Sequence, residues 1–231
     1  MRSIYRTLEQ GLVRDVAALA TAVGFVGASF GAIAVADGNP LWVPVAMSLL
    51  VFAGGAQFMA IGVVAAGGGV IAAVVGAVLL NLRMLPFGLA VGPAVGNCWW
   101  QRVLGSHVIT DESTAFAMAR SGDPVRSRQA FWLSGGTLFV VWNICVALGG
   151  VASGFIGDTD AFGIDAAFPA GLLALILPSL KDRDARRAAV CGVAIAVATA
   201  PFLPPGIPVL LGLAGVGAAV IPVPRKKVAR P

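Results

Sequence analysis

The sequence predicts an all-α integral membrane protein, a helical bundle with about seven or eight transmembrane helices. Of its 231 residues, 58% are hydrophobic and only 12% are charged, whereas a soluble domain has roughly 45–50% apolar and about 25% charged residues. The mean hydropathy is +0.90. The apolar runs are continuous and do not alternate with polar residues, which excludes the pattern of an outer-membrane barrel. The 30 glycines suit helices that pack closely in a membrane.

Seven apolar stretches are predicted to cross the membrane, and an eighth stretch is more polar. A crossing helix needs about 20 apolar residues. The seven stretches are 16–36, 41–66, 70–96, 129–152, 166–180, 187–201 and 206–221. The eighth, 99–119, reads WWQRVLGSHVITDESTAFAMA and contains two acids and the single histidine of the chain.

The distribution of lysine and arginine predicts that 99–119 also crosses, or that an equivalent change in the number of crossings occurs nearby. With eight crossings and a cytoplasmic N-terminus, 14 of the 16 basic residues lie inside, Arg102 lies outside and Arg83 lies within the membrane. Without that crossing, every later basic loop would turn outward. Both termini are therefore predicted to be cytoplasmic.

The predicted organisation is one transport domain, 16–221, between two polar ends. Residues 1–15 form an amphipathic cytoplasmic lead-in, and residues 222–231 form a basic tail. The order of stretches suggests an internal repeat with halves 16–119 and 129–221. An even number of crossings in each half makes that repeat parallel, and one missed break makes it inverted.

Several classes of function are excluded by what the sequence lacks. The basic residues lie in short loops and the tail, so they are a topology signal and do not predict nucleic-acid binding. Cys98, Cys145 and Cys191 are too scattered to form a metal or redox motif. No nucleotide-binding loop, nucleophile elbow or zinc-protease motif is present. We therefore expect no enzyme activity and no cofactor, and transport that runs on an ion or substrate gradient.

A double glycine interrupts the stretch 41–66. Gly54 and Gly55 together cost roughly 2 kcal/mol in an ordinary helix. In a transporter such a point often marks an unwound segment whose free backbone groups line a cavity, and Gln57 supplies a donor and an acceptor there. The alternative is a glycine contact between two helices, cross-linked by Gln57.

A permanent cation lies in the middle of the stretch 70–96. Inserting Arg83 costs roughly 2.5–3.5 kcal/mol, and its guanidinium cannot lose its proton. Asn81 lies beside it, and Pro86 removes a helical hydrogen bond just after it. Arg83 either pairs with a buried acid to hold the bundle together, or it binds a ligand or acts in gating.

The stretch 99–119 carries the titratable side chains. On a continuous helix, His107, Asp111 and Thr114 share one face, with spacings of four and three residues. Alternatively, Thr110 caps a helix whose first turn carries Asp111 and Glu112, because acids suit that positive end. Histidine titrates near neutrality without help, so this cluster is a candidate for proton coupling.

Three segments together resemble the AzlC family. They are MSLLVFAGGAQFMAIGVVAAG, NLRMLPFGLAVGP and VITDESTAFAMAR, and the resemblance extends over about residues 25–215. It implies the large subunit of a bacterial exporter of branched-chain amino acids (valine, leucine and isoleucine) or methionine. It also implies proton coupling and a small AzlD-type membrane subunit, and it leaves open a higher oligomer of that heterodimer.

The family's motifs fall on residues 52–58 (FAGAAQF), 81–84 (NLRH) and 110–112 (TDE). One departure matters, because Met84 stands where many members have histidine. If that histidine carries protons in relatives, the role here moves to His107, Asp111 or Glu112, or is lost.

The resemblance and the residues together suggest a site for an amino-acid zwitterion. Arg83 takes the carboxylate in a bidentate grip, and Asp111 or Glu112 faces the ammonium or carries the proton. The glycine pair provides a bending point. The apolar wall is expected from Phe52, Phe58, Met84 and Phe87. The alternatives are a solute-capturing or scaffolding subunit of a larger complex, and a membrane enzyme that acts on a lipid-linked substrate.

Overall fold

The computed structural model describes residues 10–154, 177, 179–203 and 207–217, and within those ranges every regular element is helical. Residues 1–9 of the predicted lead-in, most of the predicted span 166–180 and the basic tail 222–231 lie outside the described residues. The all-α prediction is confirmed for the described part of the chain.

The described helices follow one another with short connections. They are α1 (Gln10–Ala36), α2 (Trp42–Leu50), α3 (Gly54–Ala65), α4 (Gly69–Asn81), α5 (Met84–Val95), α6 (Trp99–His107), α7 (Asp111–Met118), α8 (Pro124–Ser153), α9 (Arg183–Thr199) and α10 (Ile207–Gly212). Short 3-10 helices cover Ser179–Lys181 and Leu213–Val216.

Two described helices, α1 over Gly11–Ala36 and α8 over Pro124–Ser153, are long and apolar enough to cross a membrane. The pair α4 and α5 adds a third span if its 47° bend is counted within one crossing. The described helices therefore do not confirm seven or eight crossings. The stretches 41–66, 70–96 and 99–119 are each broken into two helices, at residues 51–53, 82–83 and 108–110.

The scaffold of the fold is the pair α1 and α8, which run parallel. Sequence numbers rise together along the contact, so the two helices begin at the same end of the bundle. The matched positions are Val16 with Ala130, Gly27 with Trp142 and Gly31 with Val146.

Glycine makes this helix contact possible. A Cβ atom on Gly31 would overlap the carbonyl oxygen of Val146, and one on Gly149 would overlap that of Ala28. Backbone therefore lies directly on backbone, as in membrane helix pairs built on small residues. Phe30, Leu138 and Trp142 fill the core beside this contact.

The helices α2 and α3 form a hairpin that enters the bundle from the end where α8 finishes. Leu41 packs on Gly150 of α8. Further along, Ser48 Oγ donates to Asn143 Oδ1 over 2.7 Å, and the Phe52 ring lies 5.0 Å from that of Phe139. The partners on α8 thus move from residue 150 to residue 139, so the chain reaches the midpoint of α8.

After the break, the chain turns back. Gly54 lies against the indole of Trp142, and the ring of Phe58 lies 5.2 Å from that of Phe30. Phe30 is next to Gly31, which packs on Val146. Because α3 returns towards the end from which α2 came, 41–66 is a hairpin, and the prediction that it crosses is wrong.

The helices α6 and α7 form a second hairpin, which enters from the opposite end. Gln101 near its start accepts a 2.7 Å hydrogen bond from Arg128 Nη2, and Ala117 near its finish accepts one of 2.9 Å from Ser127 Oγ. Between them, the ring of His107 lies 5.4 Å from that of Phe139. The two ends of this segment lie together, so the prediction that 99–119 crosses is also wrong.

The two errors compensate each other in the topology. Both 41–66 and 99–119 return to the side from which they enter. Because two crossings are removed, the loop after α7 stays on the same side as the start of α1, as the arginine distribution predicted. The sidedness of Arg102 does change, because the eight-crossing topology placed this residue outside. It donates to Gly96 O over 3.4 Å, close to Arg128. We call this the basic end, with Arg14, Arg102, Arg120, Arg126 and Arg128.

The span between the hairpins ends at the basic end. Trp132 Nε1 donates to Val95 O, the last residue of α5, over 3.1 Å. Arg128 Nη2 reaches the same carbonyl over 3.5 Å. These donors suit the negative end of a helix. The pair α4 and α5 therefore leads from the far end of the bundle to the basic end, with its bend at Leu82 and Arg83.

Isolated polar groups in α8 and α9 donate to carbonyl groups of their own helices. Asn143 Nδ2 donates to Phe139 O over 2.8 Å, Ser134 Oγ to Ala130 O over 2.6 Å and Thr199 Oγ1 to Ile195 O over 2.8 Å. Each bond remains within one helical turn of its own helix.

The predicted stretches 187–201 and 206–221 correspond in part to α9 and α10. Asp182 caps α9 by accepting from the N–H groups of Asp184 and Ala185, each over 2.9 Å. These two backbone donors hold the pKa of Asp182 below its usual range. Gly192 of α9 packs directly on Gly212 of α10.

Candidate functional site

The breaks of the two hairpins meet near the midpoint of α8. His107, the last residue of α6, forms a 2.8 Å hydrogen bond through Nε2 with the carbonyl oxygen of Leu49 in α2. Its ring lies 6.3 Å from that of Phe52, and both rings contact Phe139 of α8. Since a carbonyl only accepts, Nε2 of His107 carries the proton. One hairpin tip thus binds the other.

The third break brings a cation to this region. Arg83 precedes the first residue of α5, and its Nη1 lies 2.8 Å from Oδ2 of Asp111, the first residue of α7. The side chains of Arg83 and Asp111 are 42% and 43% exposed. The ion pair therefore joins the bend of the α4–α5 span to the tip of the second hairpin, and about two fifths of each side chain remains accessible.

Local sequence explains why α7 starts where it does. Thr110 Oγ1 accepts from the N–H of Ser113 over 3.1 Å, and Ser113 Oγ accepts from the N–H of Thr110 over 2.9 Å. This reciprocal cap stabilises the first turn, where Asp111 and Glu112 face the positive end of the helix.

The capping alternative for 99–119 is confirmed, and the single helical face is wrong. His107 ends one helix and Asp111 begins another, so the two side chains do not share a face. The acid that Arg83 pairs with is identified as Asp111, although this acid is only half buried.

Buried polar atoms that form no hydrogen bond with the described part of the chain concentrate around the breaks. Leaving such an atom unpaired costs roughly 1–3 kcal/mol. They are Gln57 Nε2 and Oε1, Asn81 Oδ1, Asp111 Oδ1, Thr114 Oγ1 and Trp142 Nε1. Asp111 Oδ1 is the second oxygen of the carboxylate that binds Arg83. The region thus contains both donors and acceptors that a polar ligand can pair.

The predicted apolar wall is divided between two places. Phe52 lies at the tip of the first hairpin with a positive φ of 41°, and Phe58 is buried in the core against Phe30. Met84 and Phe87 lie in the first turn of α5, beside Arg83, and are partly buried. Phe58 is therefore a packing residue, and the other three lie at helix breaks.

Sequence reasoning missed Trp142, and it placed Thr114 only on the face of His107 and Asp111 in a continuous helix. Thr114 is 3% exposed and lies one turn after Asp111, and Trp142 is 5% exposed and covers Gly54. Thr114 was visible in the sequence, three residues after Asp111 in the acidic motif. Trp142 gave no local signal, because a tryptophan within an apolar stretch suits packing equally well.

A family model and two membrane proteins are similar to this chain. A family model described as AzlC protein matches residues 18–156, which include all three breaks. A protein of Helicobacter pylori strain 26695, described as an uncharacterized membrane protein, is 27% identical over 172 residues, 74% of this chain and 75% of that protein. Its counterpart in strain J99 is 26% identical over the same shares. No solved structure matches.

Proposed function

Because the chain belongs to the AzlC family of membrane proteins, we propose that it is the large subunit of a secondary active exporter of branched-chain or similar hydrophobic amino acids. Valine, leucine, isoleucine and methionine are the expected cargo. Membership of the family and the apolar helices support transport, and the family resemblance of the motifs supports the amino-acid class.

The observation that carries this proposal is the accessible ion pair of Arg83 and Asp111. An amino acid has one charge of each sign, about as far apart as the two partners of a salt bridge. Arg83 uses Nη1 for Asp111, so its other N–H groups are available for a carboxylate. Asp111 Oδ1, with Thr114 nearby on the same helix, accepts from the ammonium. A zwitterion then binds without changing the net charge of the site.

A purely structural ion pair is the competing explanation. Such a pair would hold the tip of the second hairpin on α5, and burial would protect it from solvent. The side chains are instead 42% and 43% exposed. Charges at the middle of a bilayer are costly unless they face water or protein. The exposure of Arg83 and Asp111 therefore supports the view that water, cargo or a partner protein reaches this ion pair.

The partner we propose is the small AzlD-type membrane subunit. Leu85 and Leu89 on the outer face of α5 are 66% and 84% exposed. Gly92, one turn further, has open space where a Cβ would be. A small subunit that packs on this face would cover the apolar surface that α5 leaves exposed.

We further propose that the basic end faces the cytoplasm of a bacterial cell, in the inner membrane. The positive-inside rule supports this orientation. The basic end gathers five of the described arginines, which are Arg14, Arg102, Arg120, Arg126 and Arg128. Proton coupling through His107, Asp111 or Glu112 belongs to the same proposal. His107 supports it by its place between the two hairpin tips, where a change in its charge alters their contact.

The test is export of labelled leucine from proteoliposomes that contain this chain and its small partner. We expect Arg83→Lys to lower the rate at least tenfold, because lysine cannot form the bidentate grip. The matched control is Arg126→Lys, an exposed arginine paired with Asp123 at the basic end, which should export like wild type. Wild-type rates with Arg83→Lys would show that the carboxylate role is wrong.

The same vesicles separate the remaining alternatives. If the wild-type pair of subunits exports nothing under any ion gradient, the chain is a capturing or scaffolding subunit of a larger complex. An imposed pH gradient should drive export in wild type and drive it less in His107→Gln. Equal rates with and without the pH gradient would exclude proton coupling.

A further inference from the structure

The tip of the first hairpin contains donors that the ion pair of Arg83 and Asp111 does not use. We infer that the N-terminus of α3, together with Gln57 and Trp142, is a second subsite for a carboxylate. The subsite stands on the geometry of α3, and the assignment of the carboxylate to an amino-acid cargo rests on the proposed function.

The first observation is a helix N-terminus without a cap. The first intrahelical bond of α3 runs from Gln57 N to Ala53 O over 2.9 Å. The N–H groups of Gly54, Gly55 and Ala56 therefore have no acceptor within the helix. Residue 53 is an alanine, which has no side chain that caps. By contrast, Thr110 caps α7.

The second, independent observation is Gln57 itself. Its side chain is fully buried, yet neither Nε2 nor Oε1 forms a hydrogen bond with any described residue. Gln57 is the fourth residue of α3, and helical side chains lean towards the N-terminus, so its amide lies over the first turn. A buried amide costs free energy unless a ligand pairs it.

A third donor lies on the neighbouring helix. The indole of Trp142 covers Gly54, whose Cβ position lies 2.9 Å from Cη2 and 3.3 Å from Cζ2. Cζ2 is separated from Nε1 by one ring carbon, so the indole N–H lies close to the first turn of α3. Nε1 is buried and makes no hydrogen bond in the described part of the protein.

All of these groups except Gln57 Oε1 are hydrogen-bond donors. Backbone N–H groups, an amide NH₂ and an indole N–H converge at the positive end of a helix dipole. An anion is the ligand that such a set binds, and a carboxylate accepts several donors at once. Gly54 and Gly55 are both partly accessible, which leaves the first turn of α3 open to a ligand.

The second hairpin connects the subsite to the ion pair. His107 contacts the first hairpin at Leu49 and Phe52, and four residues later Asp111 binds Arg83. A carboxylate therefore has one anchor at the tip of the first hairpin and another at Arg83, which Asp111 binds to the tip of the second hairpin. Movement of one hairpin relative to the other would pass the cargo from one anchor to the second.

The test uses labelled 4-methylpentanoate, which is leucine without its amino group, and the purified chain in detergent. We expect Gln57→Leu to weaken binding at least tenfold and Gln57→Glu to abolish it, because the new charge repels the anion. The matched control Arg126→Gln, at an exposed arginine of the basic end, should bind within threefold of wild type. Leucine should compete, and 3-methylbutylamine, which lacks the carboxylate, should not.

Matched substitutions test the donors individually. Trp142→Phe removes an unpaired N–H and should weaken binding, whereas Trp132→Phe removes an N–H that already bonds Val95 and should not. Binding that is lost with Arg83→Gln but kept with Gln57→Leu would overturn the subsite. So would a wild-type chain that binds no 4-methylpentanoate.

Stability separates a ligand role from a structural one. If the amide of Gln57 is unpaired, Gln57→Leu raises the Tm of the ligand-free protein, because an uncompensated polar group leaves the core. The control is Gln101→Leu, which removes the acceptor of Arg128 and should lower the Tm. A lower Tm with Gln57→Leu would identify Gln57 as a structural cross-link. If 4-methylpentanoate binds through Gln57 but vesicles export no leucine, the cargo assignment fails and the subsite stands.

Discussion

Glycine and small polar residues have different structural effects in the parallel pair α1 and α8 and in the two hairpins. In the pair, small residues bring backbone onto backbone over long continuous helices, and Ser134 and Asn143 of α8 donate to carbonyl groups of their own helix. In the hairpins, glycine and capping residues stop the helices at mid-depth. Charges and unpaired polar atoms then gather at the tips.

This difference separates stability from function within one bundle. A continuous helix satisfies its own backbone and needs only a smooth neighbour. A helix that ends inside the bundle leaves N–H and C=O groups that something else must pair. We infer that the pair α1 and α8 is the rigid frame, and that the hairpin tips are the parts whose partners change with the cargo.

The largest expected contrast is all or none and concerns sidedness. In variants with one cysteine each, Cys98 and Gly122→Cys should react with an impermeant thiol reagent from the same side of the membrane. Asp37→Cys and Ala66→Cys should react only from the other side. The measurement is labelling in right-side-out and inverted vesicles. Opposite sides for residues 98 and 122 would mean that 99–119 crosses, and the second hairpin would be wrong.

The next effect is a loss of stability in the frame. Gly149→Ala should destabilise the protein by about 3 kcal/mol, because its Cβ overlaps the carbonyl of Ala28 and neither backbone can yield easily. Gly136→Ala in the same helix meets open space and should stabilise it by up to about 1 kcal/mol. Unfolding of the purified protein in detergent measures both. Equal stability of the two variants would contradict the close contact of α1 and α8.

The smallest effect compares one kind of cap in both regions. Thr110→Ala removes the cap of α7, and Asp123→Ala removes that of α8, which accepts from Val125 N over 3.0 Å. Each loss costs about 1 kcal/mol. We expect Thr110→Ala to speed hydrogen exchange throughout α7 and to lower leucine export several-fold, whereas Asp123→Ala frays only the first turn of a 30-residue helix. Equal export by the two variants would remove the distinction between frame and hairpin.

Local chemistry made some features of the site predictable. A guanidinium within an apolar stretch needs a partner, and a threonine followed by two acids is a helix start. The structure accordingly gives Arg83 a carboxylate and begins α7 at Asp111. The double glycine also coincides with the point where α3 begins. Each of these inferences needed only a few neighbouring residues.

The sequence by itself determined that the chain is helical, apolar and broken near particular residues, because those properties follow from transfer energies and caps that act locally. Only the tertiary structure decided that 41–66 and 99–119 turn back, since crossing and returning helices have similar hydropathy. The direction after each break depends on distant contacts, such as Gln101 with Arg128 and Phe58 with Phe30. The same long-range packing brought Asp111 to Arg83 and covered Gly54 with Trp142.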